Sequence, residues 1–228
     1  MEKPETILPE VNMIQALKVK DIPYDFTFQK MGYVSGNISF KELFILCLAV
    51  RIYKPRLLLE FGTFNGRTTL NLILNAEAGA KILTVDLPRS EIDSTHLPLE
   101  RKQNYKEVDE LGYIGLENKV FNDSSINKNI KKKITQVWAD TADFGIKTFN
   151  PKFDFAFVDA SHSYENVLND AVNVTTDRIT TEKAVIFFHD YDGWPGVTKA
   201  LNEFYAIDGW KMQHIKDTSL VILKKGEQ

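Results

Sequence analysis

The sequence predicts an α/β fold in which a mainly parallel sheet is covered by helices on both faces. Short apolar segments typical of buried strands alternate with longer segments typical of helices. The predicted strands are RLLLEFG, KILTVD, QVWAD, FDFAFVDA, AVIFFHD, WKMQHIK and SLVILKK. A chain of 228 residues is long enough to bury one large core of this kind.

The segments outside this pattern define the expected domain organisation. Residues 1–36 are mixed in composition and are predicted to form an N-terminal extension with a short helix near residues 11–19. Residues 37–228 form the predicted domain. Ser39 and Glu42 have the spacing of a capping box, so we expect a helix from Phe40 to Tyr53.

A polar insertion, residues 88–133, follows the second predicted strand. We expect a helix from Leu99 to Leu111 within it, and a lid that closes over the site. Arg101, Lys102 and Tyr105 are candidate contacts to an acidic or sugar substrate.

Composition narrows the class of partner. The net charge of −3 gives no sign of a nucleic acid or an anionic membrane as partner. The single cysteine, Cys47, cannot form an internal disulfide and lies in an apolar segment, which suits a buried side chain in a reducing compartment. No signal-peptide pattern or apolar run long enough to span a bilayer is seen, so we expect a cytoplasmic protein.

The segment LLLEFGTFNGRTTLNL is predicted to form a strand, a glycine turn and a helix. Gly62 and Gly66 permit a sharp turn and the close approach of a ligand, as expected at the carboxyl end of a parallel strand. Phe64 breaks the dinucleotide pattern G-x-G-x-x-G, and the phosphate-loop pattern also fails. Glu60 suits a ligand with an ammonium group, and Asp86, at the end of the next strand, suits ribose hydroxyls.

These residues resemble a known cofactor site. The segments EFGTFNGRT, TVD and VWAD are similar to those of class I S-adenosylmethionine-dependent methyltransferases. Many members have glycine in place of Phe64, and a bulkier residue there is common in the catechol-type O-methyltransferases. The alternative is a structural turn that binds nothing. The resemblance implies that the methionine part is contacted by Glu60, Gly62, Thr63, Gly66 and Thr68. It implies that Asp86 binds the ribose, and that Asp140 and Thr141 lie beside the adenine.

Two later strand ends carry acidic and imidazole groups. Asp159 ends the strand FDFAFVDA and is followed by His162, and His189 and Asp190 end the strand AVIFFHD. Parallel strands bring these groups to one edge of the sheet. Methyl transfer to a hydroxyl needs the oxygen to lose its proton, which a divalent cation assists and a nearby base completes.

The second motif pair also carries a resemblance. FVDASHSYENVLND and IFFHDYDGWPGVTKAL are similar to methyltransferase family 24, which has a D-G-x-H-S-Y motif and a later H-D, and to metal-dependent O-methyltransferases of catechols and sugars. The resemblance implies a Mg²⁺ or Mn²⁺ site at Asp159, His189 and Asp190, with His162 as the base. An imidazole in place of a carboxylate at His189 shifts the preference towards Mn²⁺, Fe²⁺ or Zn²⁺.

Simpler interpretations stay open for these residues. His189 can hydrogen-bond a loop, Asp190 can cap a turn and His162 can be a buried structural histidine. His96 and His214 have no pattern that demands a functional role.

The resemblance covers residues 33–224 and implies a Rossmann-like three-layer αβα sandwich. Its sheet has seven strands in the order 3-2-1-4-5-7-6, with the last strand antiparallel. The expected function is O-methylation of a small hydroxylated metabolite, a sugar or a secondary metabolite, with S-adenosylmethionine as cofactor. The alternatives are a metal-independent methyltransferase with His162 or His189 as base, a non-catalytic S-adenosylmethionine-binding protein and, disfavoured by Glu60 and Phe64, a nicotinamide-dependent dehydrogenase. A homo-oligomer packed through residues 1–36 is a further hypothesis.

Overall fold

The computed structural model describes residues 5–22, 25–99, 114–146, 150–208 and 210–226. The expected helix at 99–111 and the candidate contacts Arg101, Lys102 and Tyr105 lie outside the described residues, apart from Leu99. The strands are β1 (Glu10–Val11), β2 (Leu57–Phe61), β3 (Lys81–Asp86), β4 (Ile134–Trp138), β5 (Phe153–Val158), β6 (Thr180–Phe188), β7 (Met212–Ile215) and β8 (Val221–Lys224).

The helices lie between these strands in the alternating order that the sequence predicts. They are α1 (Met13–Leu17), α2 (Phe40–Tyr53), α3 (Arg67–Asn75), α4 (Lys128–Lys131), α5 (Tyr164–Thr175) and α6 (Pro195–Asp208). Short 3₁₀ helices span Arg89–Glu91, Val120–Asn122 and Thr141–Ile146. Among the described helices, none is both long enough and apolar enough to cross a membrane.

The strands form one sheet in the order β1-β7-β8-β6-β5-β2-β3-β4. Without β1, this is the predicted order, and β8 is antiparallel to both β6 and β7, as predicted. The fold class is therefore confirmed, but the expected count of seven strands is wrong by one. β1 pairs in parallel with β7 through only two residues, which is too short to leave a pattern in the sequence.

Alternation along the central strands divides the core between the two faces of the sheet. Phe155 and Phe157 of β5 point to the face covered by α2 and α3, whereas Ala156 and Val158 point to the face covered by α5 and α6. All four side chains are buried. This two-sided burial explains the nearly continuous apolar strands and confirms the three-layer arrangement.

Helix α2 begins and ends where the sequence predicts. The Ser39 side chain accepts a hydrogen bond from the Glu42 amide, and the Glu42 side chain accepts one from the Ser39 amide. Cys47 on this helix is fully buried, as expected, and burial raises the pKa of its thiol. The division of the chain at residue 36 stays a prediction, although Leu8 and the two residues of β1 pack into the same core and sheet.

Candidate functional site

A cavity of about 280 Å³ lies at the carboxyl ends of the parallel strands. This volume is near the lower end of the range for small-molecule sites. The segments that follow β2 to β6 each contribute residues to its wall, which explains why residues distant in sequence meet here. Eight of the predicted site residues line the cavity: Gly62, Asp86, Asp140, Thr141, Asp159, His162, His189 and Asp190.

The turn after β2 has a tightly constrained backbone. Gly62 has a φ of +89°, and a Cβ atom there would lie 1.9 Å from the carbonyl oxygen of Asp159. Phe64 has a φ of +47°, a conformation that favours glycine. Its ring lies against Gly36, which also lines the cavity. Phe64 therefore contacts the N-terminal segment from a position where a glycine could not.

The predicted insertion returns to the protein against this same turn. The Val120 amide donates to the Asn65 carbonyl at 2.8 Å. The Phe121 ring occupies the space beside Gly66, where a Cβ atom would lie 2.5 Å from it. Gly66 is therefore required by packing against Phe121, and it does not line the cavity.

Asp86, the expected ribose ligand, has a buried partner that the sequence analysis missed. Lys119 Nζ lies 2.7 Å from Asp86 Oδ2 and also donates to the Phe64 carbonyl. Burial raises the pKa of Asp86, and the charge of Lys119 acts against that shift. Burial likewise lowers the pKa of Lys119, against the charge of Asp86. Lys119 lies outside any recognisable motif, so no sequence signal pointed to it.

The segment after β4 forms the wall at the expected adenine position. Asp140 Oδ1 accepts a hydrogen bond from the Ala142 amide at 2.9 Å and so begins the 3₁₀ turn Thr141–Ile146. The Thr141 carbonyl accepts hydrogen bonds from the side-chain amides of Asn169 and Asn173 on α5, at 3.2 and 3.3 Å. Helix α5 thus fixes this wall from behind.

Asp159, His162 and Asp190 form a compact cluster that also lines the cavity. His162 Nε2 lies 2.9 Å from Asp190 Oδ2, and the His162 ring stacks on Trp194 with centroids 4.1 Å apart. Asp190 has a φ of +63°, in the left-handed region where Asp is tolerated better than most residues. This backbone conformation places the carboxylate of Asp190 beside the imidazole of His162.

His189 lies among three carboxylates. Its Nδ1 is 3.1 Å from Asp159 Oδ1 and 3.4 Å from Asp190 Oδ2, and its Nε2 is 3.4 Å from Glu42 Oε2. Burial lowers the pKa of His189, but the charges of Asp190 and Asp159 outweigh burial and raise that pKa well above its usual range. Both nitrogens therefore face acceptors, which is the environment of an imidazolium.

Comparison with known proteins identifies the family. A family model described as a methyltransferase domain, family 24, matches residues 59–191, which is more than half of the chain. The match includes the glycine turn, Asp86, Asp140 and both histidine–aspartate motifs. The chain belongs to this methyltransferase family. None of the curated proteins compared with the chain matches it in sequence.

Solved structures agree with this methyltransferase assignment. The O-methyltransferase of Bacillus cereus, in complex with S-adenosylhomocysteine, has a TM-score of 0.54 at 14% identity, covering 93% of this chain and 88% of that one. TomG from Streptomyces achromogenes, in complex with S-adenosylmethionine, gives 0.53 at 16%, covering 83% and 82%. The calicheamicin methyltransferase CalS11 gives 0.57 at 14%, covering 82% and 79%.

At these identities the structural likeness establishes the fold, and the family match establishes the activity class. The protein is an S-adenosylmethionine-dependent methyltransferase. The predictions of the family, of the enzyme class and of S-adenosylmethionine as cofactor are confirmed. The assignment as a methyltransferase replaces the two alternatives of a dehydrogenase and a non-catalytic binding protein.

Four of the predicted cofactor-binding residues of the methyltransferase do not line the cavity: Glu60, Thr63, Gly66 and Thr68. Glu60 is fully buried, and its Oε2 accepts hydrogen bonds from the hydroxyls of Thr69 and Thr84. Thr63 is bonded to Thr84 at 2.7 Å. This network supports the glycine turn from beneath. Burial raises the pKa of Glu60 to about 8, so it is mostly protonated at neutral pH. A direct role for these four residues stays a prediction.

The geometry of the methyltransferase permits a metal ion, but with a ligand set that differs from the expected one. Asp159, His162 and Asp190 each offer one ligand atom, and these atoms lie within 4.8 Å of one another. Carboxylate donors suit Mg²⁺ and Mn²⁺, and an imidazole donor also suits Fe²⁺ and Zn²⁺. His189, which the resemblance implies as a ligand, directs its nitrogens at carboxylates instead.

Glu42 is a second residue near the site that sequence reasoning recognised only as a helix cap. Besides capping α2 and facing His189, it accepts hydrogen bonds from the amide and hydroxyl of Ser219, at 2.8 and 2.9 Å. Burial raises the pKa of Glu42. The nearby His189 and the hydrogen bonds donated by Ser219 outweigh burial and lower that pKa below its usual range. The remaining histidines lie elsewhere: His96 is exposed beside Asp143, and His214 bonds the Thr218 carbonyl.

Proposed function

We propose that this methyltransferase transfers the methyl group of S-adenosylmethionine to a hydroxyl oxygen of a small metabolite. The observation that carries the proposal is a single shared cavity. Gly62, Asp86 and Asp140 form a first wall of that cavity, and the cluster of Asp159, His162 and Asp190 adjoins it where Gly62 meets Asp159. A cofactor held by the first wall would have groups able to activate an acceptor beside it.

The first wall suits the cofactor chemically. We assign the ribose hydroxyls to Asp86, the adenine to Asp140 and Thr141, and the methionine part to the turn at Gly62. The four carboxylates that line the cavity, Asp86, Asp140, Asp159 and Asp190, make it favourable for a positively charged sulfonium. When bound, the cofactor supplies an electrophilic methyl group on sulfur.

The cluster supplies the group that removes the acceptor proton. The acceptor oxygen forms a bond to the methyl carbon as the carbon–sulfur bond breaks, and the hydroxyl proton passes to Nε2 of His162, the ring nitrogen that faces Asp190. Asp190, 2.9 Å from His162 Nε2, stabilises the positive charge that the imidazole gains. His189, which faces Glu42 through its other nitrogen, holds Asp159 and Asp190 from the buried side.

Metal-assisted transfer is the second candidate, and the three converging ligand atoms of Asp159, His162 and Asp190 favour it. A divalent cation such as Mg²⁺ or Mn²⁺ would lower the pKa of the acceptor hydroxyl and orient its oxygen. In this case His162 serves as a ligand rather than as the base. The two candidates therefore assign His162 different roles, which makes them separable by experiment.

The class of acceptor is inferred from charge and from the structural neighbours. The net charge of −3 and the acidic cavity disfavour nucleic acid as acceptor. TomG is described as acting in tomaymycin synthesis and CalS11 as a calicheamicin methyltransferase. These neighbours support the proposal that the acceptor is a secondary metabolite or a sugar carried on one.

Two measurements test the proposal. Calorimetric titration with S-adenosylhomocysteine should give micromolar binding, and absence of binding would contradict the cofactor assignment. Release of S-adenosylhomocysteine is then measured with catechol, simple phenols and methyl glycosides as hydroxyl acceptors and with simple amines as nitrogen acceptors. Turnover that survives EDTA supports His162 as a metal-free base, whereas turnover that needs added Mn²⁺ or Mg²⁺ supports the second candidate. Cofactor binding with only nitrogen acceptors methylated would overturn the proposed O-methylation.

A further inference from the structure

Lys119 is a buried cation that contacts three parts of the cofactor wall. Its side chain is only 1% exposed. Its Nζ lies 2.7 Å from Asp86 Oδ2 at the end of β3 and donates to the Phe64 carbonyl in the glycine turn. It also lies 5.0 Å from the ring centroid of Trp138, the last residue of β4. One ammonium group thus joins the ends of two strands to the turn after a third.

The backbone beside Lys119 is docked onto the same turn. The Val120 amide bonds the Asn65 carbonyl, and Phe121 fills the space that a side chain at residue 66 would need. Phe121 is itself buried with Leu70 and Ile126 in a small core cluster. The packing of Val120 and Phe121 therefore fixes the backbone position from which the Lys119 side chain reaches Asp86.

A buried lysine is costly unless its charge is compensated and its protons are hydrogen-bonded. Here the Asp86 carboxylate compensates the charge, and the Phe64 carbonyl accepts a second hydrogen bond. The carboxylate cannot turn away from the cavity without leaving the ammonium unpaired. Asp86 nevertheless lines the cavity, so it keeps acceptor capacity on that side.

We propose that Lys119 is a positioning residue for the cofactor ribose. It fixes one carboxylate oxygen of Asp86 and the backbone of the glycine turn, so that the Asp86 carboxylate stays oriented towards the ribose hydroxyls. This inference rests on the proposed role of Asp86 in the site. It makes the segment 119–121 of the insertion a part of the cofactor site, although none of these three residues lines the cavity.

The test compares two ligands by calorimetry on three proteins, with Lys119→Arg as a fourth protein held in reserve. The ligands are S-adenosylhomocysteine and its analogue without the two ribose hydroxyls. The proteins are the wild type, Lys119→Met and the control Lys131→Met. Lys131 is a matched control because its Nζ bonds the Asn122 carbonyl at the end of the same 3₁₀ turn without contacting Asp86.

We expect Lys119→Met to weaken binding of S-adenosylhomocysteine at least about tenfold, the size expected for a charge-assisted hydrogen bond. Binding of the analogue should change less than about threefold, because it has no hydroxyls for Asp86 to bind. Lys131→Met should change neither value by more than about threefold. Lys119→Arg keeps the charge and serves as the second variant should Lys119→Met fail to fold. Lys119→Arg should retain more of the preference for S-adenosylhomocysteine over its analogue than Lys119→Met does.

The contrary outcomes are distinct. Equal weakening of both ligands in the Lys119 variants would show a general structural role and overturn the inference, as would unchanged affinity for S-adenosylhomocysteine. A wild-type protein that binds S-adenosylhomocysteine and its analogue equally well would remove the ribose role of Asp86 and the inference with it. A wild-type protein that binds neither ligand would instead contradict the proposed cofactor site as a whole.

Discussion

Asp190 Oδ2 lies 2.9 Å from His162 Nε2, and the same oxygen lies 3.4 Å from His189 Nδ1. One carboxylate therefore serves two imidazoles of different environment. His189 is enclosed by Asp159 and Glu42 as well, whereas His162 stacks on Trp194 at the cavity wall. In the proposed metal-free mechanism, His189 balances the charge of the carboxylates and His162 activates the acceptor.

Replacing His162 with Gln should lower kcat by about 10²- to 10⁴-fold, because a positioned base contributes about that much. Affinity for S-adenosylhomocysteine should stay within about threefold, since in the proposal His162 contacts the acceptor and not the cofactor. Product release assays and calorimetry measure the two quantities. His96→Gln is the control, because the His96 side chain is 73% exposed. A full kcat in His162→Gln would exclude this residue both as base and as essential ligand.

If the metal-assisted candidate is correct, replacing Asp159 with Asn should abolish binding of Mn²⁺. The substitution removes the charge of one of the two carboxylates among the three ligand groups. Mn²⁺ electron paramagnetic resonance measures the free ion as protein is added. Asp217→Asn, at an exposed ion pair with Lys41, should leave the titration unchanged. A wild-type protein that binds no Mn²⁺ would settle the question in favour of the metal-free candidate.

Replacing Gly62 with Ala should destabilise the fold by at least about 2 kcal/mol, since strain and a backbone clash both oppose the new methyl group. The Cβ atom would lie 1.9 Å from the Asp159 carbonyl oxygen. Gly79→Ala is the control, because no atom lies within 4 Å of a Cβ there. Thermal unfolding of both variants measures the difference. Equal melting temperatures would mean that the β2 and β5 ends are further apart than the structure shows.

Asp170 predicts a pH dependence of stability. Burial raises its pKa from 3.8 to about 7, and the charge of Asp140 acts in the same direction. Between these two pH values the folded protein binds more protons than the unfolded chain, so this group's contribution to the free energy of unfolding falls as pH rises. At pH 8 that contribution is lost.

Asp170→Asn should therefore unfold at a higher temperature than the wild type at pH 8, by at least about 3 °C, with a smaller advantage at pH 5. Urea or thermal unfolding across this range tests the change in slope. Asp93→Asn, at an exposed position, should follow the wild-type curve. A variant whose stability depends on pH just as the wild type does would show that Asp170 ionises normally in the fold.

Local sequence patterns were sufficient for the order of the elements and for much of the site. The capping residues of α2, the apolar strands and their exits at Asp86, Asp159 and His189 are each readable within about ten residues of chain. The strand exits are informative because parallel strands must end at one edge of the sheet. Eight predicted residues consequently meet at one cavity.

The contacts between distant segments were not readable in this way. Lys119 meets Asp86 across 33 positions and Glu42 meets Ser219 across 177, and neither pair leaves a periodic signal. The same holds for Gly66, whose glycine turn suggested ligand approach but whose space is taken by Phe121. The two-residue strand β1 forms only because β7 presents an edge to it.

The sequence by itself determined the α/β class, the strand order implied by its methyltransferase motifs and the acidic and imidazole groups at the strand ends. The tertiary structure alone decided which nitrogen faces which carboxylate, and that Lys119 holds Asp86. The physical reason is that period and propensity act over one or two turns of chain, whereas charge pairing in a buried site depends on distances of about 3 Å between atoms far apart in sequence.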